Sequence, residues 1–130
     1  PMLIIGGNRS NELLELYQTK SNVQTDKVYI VSIETACMLK YTMNSFYATK
    51  VTFMNQMYDV AKAIDADWDT TTAILAEHPW MGTHHFQVPG PDGKRGFGGP
   101  CLPKDTEALT KAFDVPLLDS VLLLNKVYRQ

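Results

Sequence analysis

Apolar side chains recur at helical spacing through the middle of the chain. Between residues 32 and 65 they follow one another at steps of three and four, which is the period of one helix face. Neither glycine nor proline occurs between Asn8 and His78. We therefore predict one uninterrupted helix over residues 32–65, with an apolar stripe made of Leu39, Met43, Phe46, Phe53, Met57, Val60 and Ile64.

The apolar stripe is wider than one small domain needs to cover, because Met54, Tyr58 and Ala61 extend it. Core packing within the chain is the commoner explanation for such a stripe. A partner helix across a dimer axis is the alternative, and the pattern leaves both open.

Two short strands are predicted before the long helix. Residues 2–5 form an apolar run that ends in two glycines, and residues 27–31 form a second run that is rich in β-branched side chains. Between them, Ser10 or Asn11 can cap a helix that continues to about Gln18. The two strands are expected to pair as the edge of a small sheet.

Glycine and proline are concentrated between Pro79 and Pro103, which predicts a long irregular loop, and loops of this length are usually functional or disordered. Shorter helices are predicted at residues 67–77, at residues 104–113 and from residue 117 onward, where Pro116 opens the last one. The predicted fold class is therefore mainly α, with one long helix, several shorter helices and two short N-terminal strands.

Composition narrows the functional classes. With 130 residues, of which 45% are hydrophobic, the chain can bury one core, and a net charge of −2 argues against a general nucleic-acid binder. No stretch approaches the roughly 20 apolar residues of a membrane span. The two cysteines, Cys37 and Cys101, do not make a disulfide framework and suit a reducing compartment, so we expect a cytoplasmic protein.

Cys101 carries the clearest candidate chemistry. Gly98 and Gly99 precede it and let the backbone adopt positive φ close to a ligand, while Pro103 can open the helix that follows. The amides and dipole of that helix would favour the thiolate, and Asp105 lies four residues on, on the same helix face. A lone cysteine is nevertheless more often an inert apolar residue, and the other cysteine, within the long helix, keeps that interpretation.

Other polar pairs leave more than one interpretation open. Lys40 and Asn44 share one helix face by their spacing, which alone indicates two solvated residues. The adjacent His84 and His85 lack the spacing of metal ligands, so no metal site is predicted, and structural or substrate-contacting roles remain. The lysine and arginine at 94–95 either meet a phosphate or keep a loop solvated.

Two blocks of sequence resemble the nucleotide-sugar 6-dehydrogenases, the family of UDP-glucose and GDP-mannose dehydrogenases. The string GFGGPCLPKDTEAL, at residues 96–109, is similar to the family's cysteine motif, a glycine-rich loop ending in GGxC and followed by proline, lysine and aspartate. Residues 34–56, ETACMLKYTMNSFYATKVTFMNQ, resemble its long central helix with a Lys-x-x-x-Asn pair, and residues 117–125 resemble its last central helix. The resemblance covers nearly the whole chain but only the middle of a family member.

The resemblance implies an NAD-dependent oxidation of the C6 alcohol of a nucleotide sugar to a carboxylate, through a thiohemiacetal and a thioester on Cys101. It assigns Lys40 and Asn44 to the developing oxyanion, and it makes Asp105 an acceptor that positions water or tunes the lysine. Lys104 is implied as a contact to NAD. Residues 91–95 lengthen the substrate loop compared with the family pattern. Substrate contacts are implied for Phe86, Gln87, Val88, Pro89, Gly90, Phe97, Gly98 and Gly99.

The resemblance also divides the chain. Residues 1–31 correspond to the edge of a preceding cofactor domain, and residues 32–130 to the helical central domain, which carries the cysteine motif and forms a homodimer through the long helix. No GxGxxG fingerprint occurs, and the only glycine-rich segment follows no predicted strand. We therefore expect NAD to be bound mainly outside this chain, by a Rossmann domain or a separate Rossmann-domain chain, and this chain alone to be inactive.

Two other functional classes stay open. The helices can serve only as a non-catalytic dimerisation module, in which the candidate catalytic residues are relics. A cysteine hydrolase is the weaker alternative, since His84 or His85 can supply a base but the sequence shows no third orienting group.

Overall fold

The computed structural model describes residues 2–22 and 25–130 and consists mainly of helices. The predicted fold class, mainly α with two short N-terminal strands, is confirmed. The elements form two compact units, Pro1–Thr42 and Met43–Gln130, and the boundary falls within the long helix, while the predicted division at residue 32 stays a prediction. In chain order the elements are β1 (Leu3–Gly6), α1 (Ser10–Lys20), β2 (Val28–Val31), α2 (Ile33–Ala63), α3 (Trp68–Glu77), α4 (Leu102–Ala112) and α5 (Pro116–Tyr128).

The first unit is built on a small parallel sheet. β1 pairs with β2 in a register that sets Leu3 opposite Val28, and α1 connects the two strands, because parallel strands need a crossover. The strands therefore pair as expected. The predicted cap of α1 at Ser10 or Asn11 is wrong, since Arg9 precedes the helix and makes no side-chain capping bond.

α2 is a single helix of 31 residues, which confirms the prediction of one long helix. The predicted apolar stripe, however, is largely exposed: Phe46 is 61% and Phe53 is 48% exposed. Ala48 and Met54 face the core of the second unit instead and are buried. The interpretation of the stripe as core packing is therefore wrong for its exposed residues, whereas it is correct for Met54 and Ala61, which extend the stripe and are buried.

The long loop between α3 and α4 supplies much of the core of the second unit. α2 gives one buried residue to each of two apolar clusters, and the loop gives Phe97 to the first and Phe86 and Val88 to the second. The loop is therefore an ordered part of the fold, held by the apolar side chains that interrupt its glycines and prolines.

The shorter helices begin where local chemistry favours it. Oδ1 of Asp67 caps α3 by accepting from the amides of Asp69 at 3.0 Å and Thr70 at 3.1 Å. α4 begins at Leu102, somewhat earlier than predicted, and α5 begins at Pro116. Over the described ranges 2–22 and 25–130, no helix is long and apolar enough to cross a membrane.

Candidate active site

Cys101 occupies the N-cap position of α4. Its carbonyl oxygen accepts a helical hydrogen bond from the Asp105 amide at 3.0 Å, and Pro103 lies in the first turn. The thiol is exposed. The positive end of the helix dipole therefore lies beside an accessible sulfur, where it stabilises developing negative charge.

The carboxylate of Asp105 joins α4 to α2. Asp105 is 0% exposed, and its Oδ2 accepts a hydrogen bond from Nδ2 of Asn44 at 2.6 Å. Its Oδ1 pairs with the ammonium group of Lys104, whose side chain stays largely exposed. A buried carboxylate requires such partners. The structure thus brings Asn44, Lys104 and Asp105 into one group, one turn into the helix that Cys101 begins.

Lys40 lies on the part of α2 that belongs to the first unit. Its ammonium group is 5.7 Å from the centre of the Tyr41 ring, a cation–π contact. Its convergence with Asn44, Cys101 and Asp105 stays a prediction.

The glycine loop before Cys101 is shaped by backbone conformation and by close packing. Gly96 and Gly99 adopt positive φ values of 69° and 76°, which side chains disfavour. Positive φ was predicted for Gly98 and Gly99. The prediction is confirmed for Gly99 and wrong for Gly98, which has no positive φ. A Cβ atom at Gly98 would lie 2.7 Å from Nη2 of Arg129, so this glycine lets the guanidinium group rest against the backbone.

Two asparagines hold the backbone of this loop. The side chain of Asn125 on α5 accepts from the Phe97 amide at 2.7 Å and donates to the Phe97 carbonyl at 3.0 Å. Asn55 on α2 is buried and accepts from the Gly96 amide at 3.2 Å. These amides replace the backbone partners that an irregular loop lacks. Sequence reasoning missed both residues, although a polar residue on an apolar helix face is the signal that could have found Asn55.

Arg95 is engaged by the protein itself. Its guanidinium group donates to the side chain and the carbonyl of Asn55 at 3.1 and 2.9 Å, and to Asp59 at 2.8 Å. The same group lies 4.5 Å from the centre of the Tyr128 ring. Solvation of the loop, one of the two roles considered from sequence, therefore does not describe Arg95, while a phosphate contact stays a prediction. Lys94 is exposed.

A pocket of about 840 Å³ lies along the loop. It is lined by residues of α3 and by every residue predicted to contact the substrate except Pro89. The three large apolar side chains among those residues are buried in the core, which leaves the exposed Gln87 and the glycine backbone for contact with a ligand. Neither the thiol nor the buried carboxylate described above lines this pocket.

The adjacent histidines have different surroundings. The ring of His85 is stacked on that of Tyr47, with ring centres 4.5 Å apart and planes inclined by 13°. Burial, followed by the charges of Lys50 and His84, lowers the pKa of His85 and favours its neutral form. Among the residues that the structure describes, no three His, Cys, Asp or Glu side chains are grouped to hold a metal ion.

These site residues fall within a region that matches a known family. Residues 34–127 match the central domain of the UDP-glucose/GDP-mannose dehydrogenase family. The chain belongs to this family.

Individual family members are similar to the chain over most of its length. It is 37% identical to a GDP-mannose 6-dehydrogenase of Pseudomonas putida over 97% of this chain and 29% of that protein. It is 34% identical to a GDP-mannose 6-dehydrogenase of Pseudomonas aeruginosa over 96% of this chain and 29% of that protein. The UDP-glucose 6-dehydrogenase YwqF of Bacillus subtilis is 31% identical over 75% of this chain and 22% of that protein. The chain thus spans less than a third of the length of these relatives.

The turn between β1 and α1 is the place to compare with a dinucleotide site of such dehydrogenases. It has the order of strand, glycine turn and helix that dinucleotide sites use. Its glycines, however, make room for protein: a Cβ atom at Gly6 would lie 2.8 Å from Cβ of Ala36 and 3.0 Å from the carbonyl oxygen of Ser32. A Cβ atom at Gly7 would lie 3.5 Å from Ile33. The turn therefore does not fit the pyrophosphate of NAD.

Proposed function

We propose that this chain is the central-domain part of an NAD-dependent nucleotide-sugar 6-dehydrogenase, which oxidises the C6 alcohol of the sugar to a carboxylate. One observation carries the proposal. Cys101 begins the helix whose first turn holds the buried Asp105, and this carboxylate is bonded to Asn44 at 2.6 Å. The motif resemblance described in the sequence analysis assigns these residues to catalysis.

Cys101 holds the intermediate aldehyde in this proposal. Its sulfur adds to the aldehyde carbon, the carbonyl oxygen takes the proton, and a thiohemiacetal results. Loss of a hydride from the same carbon, together with the proton of its hydroxyl group, leaves a thioester. Water then adds to the thioester carbonyl, the carbon–sulfur bond breaks, and the carboxylate leaves as the thiol is restored. The electron pairs of both oxidations go to NAD, the acceptor that the family resemblance implies, so two NADH form per carboxylate.

Asn44 is assigned to the reacting oxygen. A side-chain amide carries two N–H groups, and Asp105 accepts one of them. This bond determines which way the amide points, and the second N–H is assigned to the oxyanion, with Lys40 as the accompanying cation. Asp105 thereby orients its neighbours. Lys104, which pairs with the same carboxylate, is assigned the contact with NAD.

The substrate and partners follow from the loop and from α2. The nucleotide sugar is assigned to the loop that carries Gln87 and Gly99, which borders the 840 Å³ pocket, and both GDP-mannose and UDP-glucose are candidates. Homodimerisation is assigned to α2, because Phe46 and Phe53 are exposed along it. NAD is assigned to a Rossmann domain outside the residues described here, in the same polypeptide or in a separate chain. The cytoplasm is the proposed location, since two lone cysteines suit a reducing compartment.

Two matched cysteine variants test the catalytic assignment. The chain is combined with a Rossmann-domain protein of the same family, and NADH and carboxylate formation are followed with GDP-mannose and with UDP-glucose. We expect two NADH per carboxylate for the wild type, loss of carboxylate formation in Cys101→Ser and an unchanged rate in Cys37→Ser. Equal rates in the two variants would contradict the nucleophile assignment.

A non-catalytic dimerisation module is the second candidate, favoured by the exposed apolar side of α2. It predicts a dimer in sedimentation equilibrium and no turnover with any Rossmann-domain partner. Turnover that depends on Cys101 would exclude it, whereas a dimer without turnover would support it against the enzyme proposal.

A further inference from the structure

Residues 91–95 are held to two different helices. Asp92 accepts a hydrogen bond at 2.8 Å from Nη1 of Arg129, which occupies the C-cap position of α5. At the other end of the segment, Arg95 is bonded to α2 as described above. The Gly90 amide donates to the Lys94 carbonyl at 2.8 Å and closes the segment into a compact turn. The turn therefore has one anchor on α5 and another on α2.

Arg129 also contacts the glycine loop that follows. A Cβ atom at Gly98 would lie 2.7 and 2.8 Å from its two terminal nitrogens, and one at Gly96 would lie 3.1 Å from its Cγ. The arginine therefore fills the space beside both glycines. Asp92 holds one nitrogen of this planar guanidinium group by a hydrogen bond and so restrains where the group lies against the loop. One ion pair thus links α5, residues 91–95 and the backbone three residues before Cys101.

We propose that Asp92 and Arg129 are positioning residues, whose ion pair holds the loop from Gly96 to Gly99 in the shape that presents Cys101 to its substrate. The inference rests on the proposed function for what the thiol does. The side chains of Arg129 and Asp92 are 25% and 47% exposed, and ion pairs this exposed contribute little to the global free energy of unfolding. The effect of breaking the pair is therefore local: the loop loosens while the helices stay folded.

Hydrogen exchange of the amides of residues 96–99, measured by NMR, tests the local effect. Asp92→Asn and Arg129→Gln should each accelerate this exchange by about two- to fivefold. The double variant should show no further increase, because both changes break the same pair. Lys94→Gln, an exposed position in the same segment, should leave exchange unchanged.

Unchanged exchange in Asp92→Asn, or additive effects in the double variant, would overturn the proposal. If Arg129→Gln disturbs the folding of α5, Asp92→Asn still decides the question, because it removes the same bond from the loop side. Circular dichroism of each variant establishes that the helices are retained.

Turnover with a Rossmann-domain partner is the second readout. Misplacing a nucleophile lowers kcat more than it raises KM, so we expect Asp92→Asn to lower kcat with little change in KM. Faster exchange with unchanged kcat would overturn the positioning role and leave the proposed function intact. A wild-type chain with no turnover would instead overturn the proposed function, and the exchange data would still decide whether the pair orders the loop.

Discussion

At the scale of single residues, the buried carboxylate of Asp105 organises the candidate site. It holds Asn44 by a 2.6 Å hydrogen bond and Lys104 by an ion pair. Asn44 and Asp105 are 61 positions apart, so no local sequence pattern reports their contact. The motif resemblance points to each residue separately, and the hydrogen bond between Asn44 on α2 and Asp105 on α4 joins them.

Replacing Asn44 by alanine is expected to destabilise the fold. The variant leaves the buried Asp105 with one donor fewer, and a buried polar group that loses a partner costs about 1–3 kcal/mol. Urea unfolding measures the change in the free energy of unfolding. Asn11→Ala, at an exposed position of α1, is the matched control. An unchanged free energy of unfolding in Asn44→Ala would show that the bond contributes nothing in solution.

We expect any difference in reactivity between Cys101 and Cys37 to come from their positions in the helices and not from exposure, because both thiols are exposed. The expectation of an inert, apolar setting for Cys37 therefore loses its support. We still expect iodoacetamide to label Cys101 faster, since Cys101 caps a helix N-terminus whereas Cys37 lies inside α2. Peptide mass mapping after partial labelling gives the ratio of rates. Equal rates, or faster labelling of Cys37, would remove the main physical argument for a nucleophile.

At the scale of elements, α3 depends on a charged cap. The Thr70 hydroxyl donates to Oδ2 of Asp67 at 2.6 Å, and this bond, with those from the Thr70 and Asp69 amides, lowers the pKa of Asp67 below its ordinary 3.8. A carboxyl group with a lower pKa in the folded state stabilises the fold above its unfolded pKa. That contribution is lost as the pH falls through the folded pKa.

The stability of α3 should accordingly fall in the wild type as the pH drops below about 4 and passes through the lowered pKa of Asp67. Asp67→Asn keeps a capping side chain that does not titrate, so its stability relative to the wild type should rise as the pH falls. Thermal unfolding at a series of pH values measures the difference. An identical pH dependence in both proteins would rule out Asp67 as the group responsible.

The exposed side of α2 is where we expect a second copy of the chain to pack. In an isologous dimer both copies contribute the same surface to the interface, so one substitution places a charge in the interface twice. Phe53→Asp should therefore break the dimer, while Ile74→Asp, at an exposed apolar position of α3, should not. Analytical ultracentrifugation at micromolar concentration measures the association. A monomeric wild type, or a dimer that survives Phe53→Asp, would contradict this assignment.

At the scale of the whole molecule, the elements could be predicted from sequence and their contacts could not. Uninterrupted helical spacing is enough to predict α2, and Pro116 is enough to predict where α5 begins. Periodicity alone does not say which face is inside, and the small Ala48, not the large residues of the stripe, lies against Phe97. The bonds from Asn125 to Phe97 join positions 28 apart and have no local signature.

These 130 residues by themselves are expected to bind NAD weakly or not at all. Dinucleotide affinity depends on glycines whose backbone approaches the pyrophosphate at a helix N-terminus. In the β1–α1 turn this space is filled, because Gly6 lies against Ala36 and the Ser32 carbonyl. Lys104, whose ammonium group is paired with Asp105, is at most one peripheral contact.

Titration calorimetry with NAD should accordingly give a Kd above about 1 mM, which corresponds to a binding free energy weaker than about −4 kcal/mol. Mixing the chain with NAD and either GDP-mannose or UDP-glucose should form no NADH, while addition of a Rossmann-domain partner should start turnover and serves as the positive control. NADH formation without the partner would contradict the prediction, because the packed turn at Gly6 leaves the pyrophosphate no cradle there. Turnover that appears only with the partner is the result expected if a second domain completes the active site around Cys101.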